Sequence, residues 1–181
     1  MKISHKLLRL MLTGLLLLLW GIVGVGCSEP PETPTGMTVR VERVVSGQTI
    51  EIVSPTENIP RLQRVRLIGI NAPDLRQDPW GMEAKRRLQQ LCQGQQVLLE
   101  LDQMESDRYD RLLAYIWRDQ ILINEELVKQ GYALAQAGIY NNKYSQRLDN
   151  AQRWARIMGL GIWNPEEPMR FTPAEFRQQQ S

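Results

Sequence analysis

The chain has 181 residues, enough for one domain of ordinary size and a leader, and its 22 Lys and Arg face 20 Asp and Glu for a formal net charge of +2. A balance this close carries no global basic field of the kind that marks a general nucleic-acid binder. One histidine and two cysteines leave little room for histidine catalysis, disulfide scaffolding or a thiol-ligated metal.

Residues 1–26 open with Lys2, Lys6 and Arg9 and continue as an apolar run from Leu10 to Val25. A basic head followed by a run too short for a comfortable span reads as a signal peptide. The run closes on Val25-Gly26-Cys27, which predicts a bacterial lipoprotein signal with Cys27 as the lipidated first residue of the mature chain. Gly24 stands where that pattern carries Leu, and an uncleaved apolar anchor is the other reading. Both predict an exported, membrane-anchored protein at the bacterial cell envelope, outside the cytoplasm. Removal of the signal takes away His5, the only histidine. Lys plus Arg falls from 22 to 19 against 20 acids, for a mature charge of about −1. Such a chain cannot run a Ser-His-Asp or Cys-His site. Any hydrolysis must rest on carboxylates, Arg, Lys, Tyr and a hard cation held by oxygens.

Residues 27–36 are polar and Pro-rich and read as a stiff spacer. The domain is expected over 37–163. Val39, Val41 and Val44 among charged neighbours predict a strand; 49–53 and 63–70 predict two more, with Val65 and Leu67 on one face and Arg64 and Arg66 on the other. Residues 54–60 read as a loop. Ala84, Leu88, Leu91 and Cys92 recur at helical spacing before a stop at Gly94, so Cys92 is expected to be a buried thiol. Strand signals return over 96–101 and 112–123, the second broken near Asp119-Gln120. Asn124 is placed to cap a short helix ending near Gly131. Tyr144, Leu148, Ala151, Ala155 and Met158 mark one face of a longer helix closed by Gly159. Trp80, Trp117, Trp154 and Trp163 read as core and seam fillers, and Lys85-Arg86-Arg87 as a solvated helix face. Strands first and helices after argue an α+β fold. Residues 164–181 form an extension with no assigned role.

Three segments carry a resemblance: Ser46-Gly47-Gln48-Thr49, then Arg66-Leu67-Ile68-Gly69-Ile70-Asn71-Ala72-Pro73-Asp74, then Asp107-Arg108-Tyr109-Asp110-Arg111-Leu112-Leu113-Ala114-Tyr115. In this order and spacing they resemble the staphylococcal-nuclease (thermonuclease) family. The resemblance implies a five-stranded OB-type Greek-key β-barrel with about three helices outside it. It also implies calcium-dependent phosphodiester cleavage, in which arginines clamp the phosphate and a carboxylate handles the attacking water.

On that resemblance Arg66 and Arg111 are the phosphate-clamping arginines and Asp74 takes the place of a glutamate. Asp74 is one methylene short, a displacement of about 1 Å that can cost roughly a hundredfold in rate. Gln48 and Asn71 stand where the family has metal-binding acids, beside the backbone carbonyl implied at Ala72. Two lost carboxylates near a dication remove a gross term of about 4 kcal/mol each at an effective dielectric near 20. Calcium binding is therefore expected to be weak or absent. Tyr109 and Tyr140 are the candidate substrate-stacking aromatics, and Asp110 is a candidate partner for Arg111.

Three functions follow. The first is an anchored, monomeric protein that holds single-stranded or flexible nucleic acid, or another polyanion, through Arg66 and Arg111 with little hydrolysis. The second is an active exported endonuclease. The third is an envelope interaction domain.

Overall fold

The computed structural model describes residues 33–53 and 61–180. The signal at 1–26, Cys27, most of the spacer and the 54–60 loop lie outside the described residues. Strand β1 (Met37–Ser46) is long enough to serve two neighbours. Its first half pairs with β5 (Gln96–Ser106) and its second half with β2 (Thr49–Val53). Register shifts between Val41 and Arg43, and between Val44 and Ser46, bend it from one partner toward the other. β3 (Leu62–Leu67) pairs antiparallel with β2. β6 (Leu112–Arg118) pairs antiparallel with β5 and parallel with β3, and that last pairing closes a five-stranded mixed barrel. β7 (Ile121–Leu122) adds a short hairpin arm to β6, and β4 (Ile70–Asn71) pairs with β8 (Leu134–Ala135) as a separate ribbon. The α+β barrel expected from the resemblance is the fold.

Period-2 patterning fills the barrel. Val39, Val41, Val44, Ile50, Ile52, Val65 and Leu67 are buried, while Arg64 and Arg66 take the opposite face of β3. Five consecutive residues of β6, Leu113 to Trp117, are buried because the strand has the barrel on one side and helices on the other. Helix α1 (Trp80–Cys92) packs through Ala84, Leu88 and Cys92, and α2 (Ile123–Lys129) through Leu127 and Val128. α3 (Ser145–Ile157) packs through Leu148, Ala151 and Ala155. Truncating Leu127 or Leu148 to Ala is worth about 2–5 kcal/mol at such sites. Burial pushes the Cys92 thiol up to about 12 and its Sγ–H donates to the Leu88 carbonyl, so it is structural.

A fourth helix, α4 (Pro173–Gln179), goes beyond the three expected, and it lies in the extension. Thr172-Pro173-Ala174-Glu175 starts it: the Thr172 hydroxyl accepts from the Glu175 N–H and the Glu175 carboxylate accepts from the Thr172 N–H. The segment before it is docked, with the Met169 N–H on the Ile162 carbonyl and the Gln77 side chain on the Phe171 carbonyl at 2.6 Å. Pro173 is buried. Among the described residues no helix is long and apolar enough to cross a membrane.

Three local readings are corrected. Asn124 does not cap α2. It is fully buried inside the first turn, accepting from the Ile116 N–H at 2.9 Å and donating to the Ile68 carbonyl at 2.8 Å. A polar side chain that bridges strand β6 and the turn after β3 satisfies both its own burial and theirs. Trp154 fills no core, being 48% exposed on the outer face of α3, and Met158 is 52% exposed after the helix ends.

A buried polar nest links β5 and β6 to the residues just before α3. Glu100, 3% exposed, accepts from Trp117 Nε1 at 2.7 Å, Tyr144 Oη at 2.9 Å and Lys143 Nζ at 2.6 Å. Tyr144 also packs edge-on against Tyr115 and Trp117 at centroid distances of 4.7 and 5.4 Å. Burial, and then Glu100, push the Tyr144 hydroxyl up to about 12, and the Glu100 hydrogen bond raises Lys143.

Candidate functional site

Three turns, strand β3 and helix α4 deliver one set of polar side chains to a cleft of about 480 Å³. The β1–β2 turn presents Gln48, and it can approach α1 because residue 47 is glycine. A Cβ there would stand 2.5 Å from the Ala84 Cβ. β3 presents Arg66 by alternation. Gly69, at φ +75°, turns the chain so that Ile70 and Asn71 pair with β8 and Asp74 follows into the cleft. The β5–β6 turn brings Tyr109 and Arg111, and α4 brings Arg177.

The Arg66 guanidinium is tied to backbone. It donates to the Leu67 carbonyl and, at 2.6 Å, to the Ile70 carbonyl. Burial first, and then the neighbouring Arg111 and Arg177 charges, bring it down to about 9, so it remains charged at pH 7. Arg111 pairs with Asp107, its Nη2 at 2.6 Å and its Nε at 2.8 Å from Oδ2. Asp107 also accepts from the Tyr109 and Arg111 N–H groups, which builds the turn. Burial alone would raise the Asp107 carboxyl. The Arg111 guanidinium and the two N–H groups outweigh it and hold it below the usual range. Asp110, the expected partner of Arg111, sits instead at φ 58° as the left-handed residue of the turn. The exposed ring of Tyr109 lies under both Arg108 and Arg111, at 4.8 and 5.4 Å.

The amide oxygens of Gln48 and Asn71, and one carboxylate oxygen of Asp74, meet N–H donors. Gln48 Oε1 accepts from the Ala72 N–H at 2.6 Å. Asn71 Oδ1, in a buried residue, accepts from Arg177 Nη2 at 2.9 Å. Asp74 Oδ1 accepts from Arg76 Nε and from the Arg76 N–H, both at 3.0 Å, and the Arg76 contact holds its carboxyl below the usual range. A hard dication takes about six to eight oxygens at once, several of them anionic. Two neutral amides already bonded to donors and one ion-paired aspartate do not fit that demand. Among the described residues no group of three or more His, Cys, Asp or Glu could hold a metal.

Of the residues singled out from sequence, Gln48, Arg66, Asn71, Asp74, Tyr109 and Arg111 share the cleft. Ala72 is buried behind it, with its N–H on Gln48. Tyr140 is 55% exposed and does not line the cleft. Glu51, a buried acid of β2, is engaged by Arg43 at 2.7 Å and Arg64 at 3.3 Å. Sequence reasoning missed Arg177. The Thr-Pro-x-Glu start of α4 was readable as a helix start, but nothing local linked a residue of that helix to Asn71, 106 positions earlier.

Comparison with known proteins agrees with this fold. The family model "Staphylococcal nuclease homologue" matches residues 64–165. The chain is similar to a protein named thermonuclease from Staphylococcus hyicus, 35% identical over 132 residues, covering 70% of this chain and 76% of that one. A second thermonuclease, from Staphylococcus intermedius, is 32% identical over 168 residues, or 90% of this chain and 98% of its own. An uncharacterized endonuclease from Haemophilus influenzae is 31% identical over 173 residues, covering 95% and 86%.

Proposed function

The chain belongs to the staphylococcal nuclease family, and from that premise we propose that it holds nucleic acid, or another phosphate-bearing polyanion, with weak or absent calcium-dependent hydrolysis. Arg66 and Arg111 are the clamping groups, and Tyr109 offers a stacking face beside them. A guanidinium suits this role because its planar fork meets two phosphate oxygens and keeps its charge. Arg66 is fixed by its two carbonyl contacts, so it loses little freedom when an anion arrives. In this reading the protein is exported and anchored at the cell envelope through its N-terminal segment, and it works as a monomer.

One observation carries the reading. The amide oxygens at positions 48 and 71 are occupied by N–H donors, while the cleft's guanidinium groups outnumber its carboxylates. Such a site attracts an anion without needing a cation to bridge it. Without a bridging ion and a free carboxylate, the groups that develop charge in phosphodiester displacement lack their stabilisers.

A second reading, an active endonuclease, is favoured by the names of the relatives. One comparison separates the two. Full-length protein in mild detergent is given single-stranded DNA with calcium or with chelator, beside the variant Gln48→Asp, Asn71→Asp, Arg177→Gln. The third change keeps the new acid at 71 from being consumed as an ion pair. The parent is expected to retain DNA in chelator and cut it slowly or not at all, and the variant to gain calcium-dependent cleavage. A parent that digests as fast as the variant and stops on chelation establishes the second reading instead.

A further inference from the structure

The charge inventory of the cleft is uneven. Asp74 is paired with Arg76 and Asp107 with Arg111. Arg66 and Arg177 have no carboxylate partner among the described residues. Two positive charges in one pocket are therefore without a contacting carboxylate, with Asp107 acting on Arg66 and Asp74 on Arg177 only from a distance. Arg177 is held by an amide: Asn71 Oδ1 fixes the guanidinium at 2.9 Å without cancelling its charge, which an aspartate would do. Helix α4, its capping box and the Gln77–Phe171 contact hold the residue in place.

We infer that Arg177 is a third anion-binding residue, supplied by the C-terminal helix where the family's cleft resemblance implies a metal ion, and that the preferred ligand is a phosphate monoester dianion at the end of a nucleic-acid chain. This rests on the polyanion reading above and narrows it. A terminal phosphate carries nearly two negative charges and three free oxygens, whereas an internal phosphodiester carries one charge and two. Two cations without a contacting carboxylate match the first better than the second. Three guanidinium groups can meet three oxygens, with Arg66 keeping N–H groups beyond the two spent on carbonyls. The like-charge crowding that lowers Arg66 is relieved when a dianion enters. A second groove shares Tyr109 with the cleft; it is lined by Arg61 and by Arg64, which pairs with Glu51, together with Asp110, and it offers space rather than added charge for the rest of a strand.

The test uses two labelled single-stranded oligonucleotides, identical except that one ends in a phosphate and the other in a hydroxyl. Anisotropy titrations are run in chelator with the full-length chain in mild detergent. The phosphate-ended strand is expected to bind about tenfold tighter or more. Arg177→Gln should abolish most of that preference, weakening the phosphate-ended strand by a larger factor than the hydroxyl-ended one. Asn71→Asp should reduce the preference too, by pairing with Arg177. Because Arg177 is exposed, an unchanged melting curve for Arg177→Gln checks that the fold is intact. Equal affinity for the two strands overturns the monoester inference while leaving polyanion binding standing. Failure to bind either strand sinks the polyanion reading itself. A preference that survives Arg177→Gln removes Arg177 from the site, and binding that tightens in that variant makes α4 an obstruction and overturns the inference. Displacement by inorganic phosphate at equimolar concentration assigns the pocket to the free anion and overturns the chain-end assignment.

Discussion

Two polar clusters of this molecule obey opposite rules. In the nest around Glu100, one buried carboxylate is met by an indole N–H, a phenol and an ammonium, and every group has a partner of its own chain. In the cleft, guanidinium groups outnumber carboxylates and two of them find only neutral oxygens. A cluster complete within the chain contributes to stability. A cluster left with surplus charge costs stability and is completed by a ligand. The difference separates scaffold from site without reference to any relative.

The largest expected effect tests the complete cluster. Glu100→Ala leaves the Trp117 N–H and Tyr144 hydroxyl buried without an acceptor, and should cost about 3 kcal/mol of unfolding free energy. Urea titration should show a lower midpoint with an unchanged slope, and phosphate-ended DNA should still bind below the variant's melting range. A loss under about 1 kcal/mol would mean the nest is not structural. The middle effect tests the incomplete one. Arg111→Ala should weaken binding of the phosphate-ended strand by about tenfold, or roughly 1.4 kcal/mol, with a smaller change in stability. Undiminished binding would separate the arginines from the ligand.

The smallest effect uses acid. The Asp74 and Asp107 carboxyls lie below their ordinary range in the folded chain. A depressed carboxyl stabilises the fold above its unfolded pKa of about 4, and that contribution is lost as pH falls through the lower folded value. Stability from these two groups should be flat between pH 7 and about 5 and decline below about 4. Asp74→Asn should blunt the decline, and a variant with the parent's acid profile would show that the Arg76 pair contributes nothing.

Much of this was legible in the chain. Alternation in β3 separated Val65 and Leu67 from Arg66 before any coordinates, and three ordered motifs brought Gln48, Asn71, Asp74 and Arg111 to one place. What stayed hidden was long-range or ambiguous. Asn124 reads as a cap because capping is local, whereas its two partners lie on β6 and in the turn after β3. Trp154 reads as core because its size predicts burial, yet its position on α3 faces outward. Asp107 rather than Asp110 engages Arg111, because the turn needs a left-handed residue at 110. Arg177 lay in a segment whose polar composition gave no sign of where it would dock.

The match to the family model ends at residue 165, and α4 begins at 173. The third guanidinium is therefore an accessory to the barrel, mounted on a short tail in which Pro173 is buried and Met169 and Phe171 are held through their backbone groups. A lineage could gain, lose or retune this residue by editing a handful of codons, leaving the strands untouched. Dependence on an external electrolyte would then be an evolutionarily adjustable property of the chain's last turns, set apart from the fold that carries it.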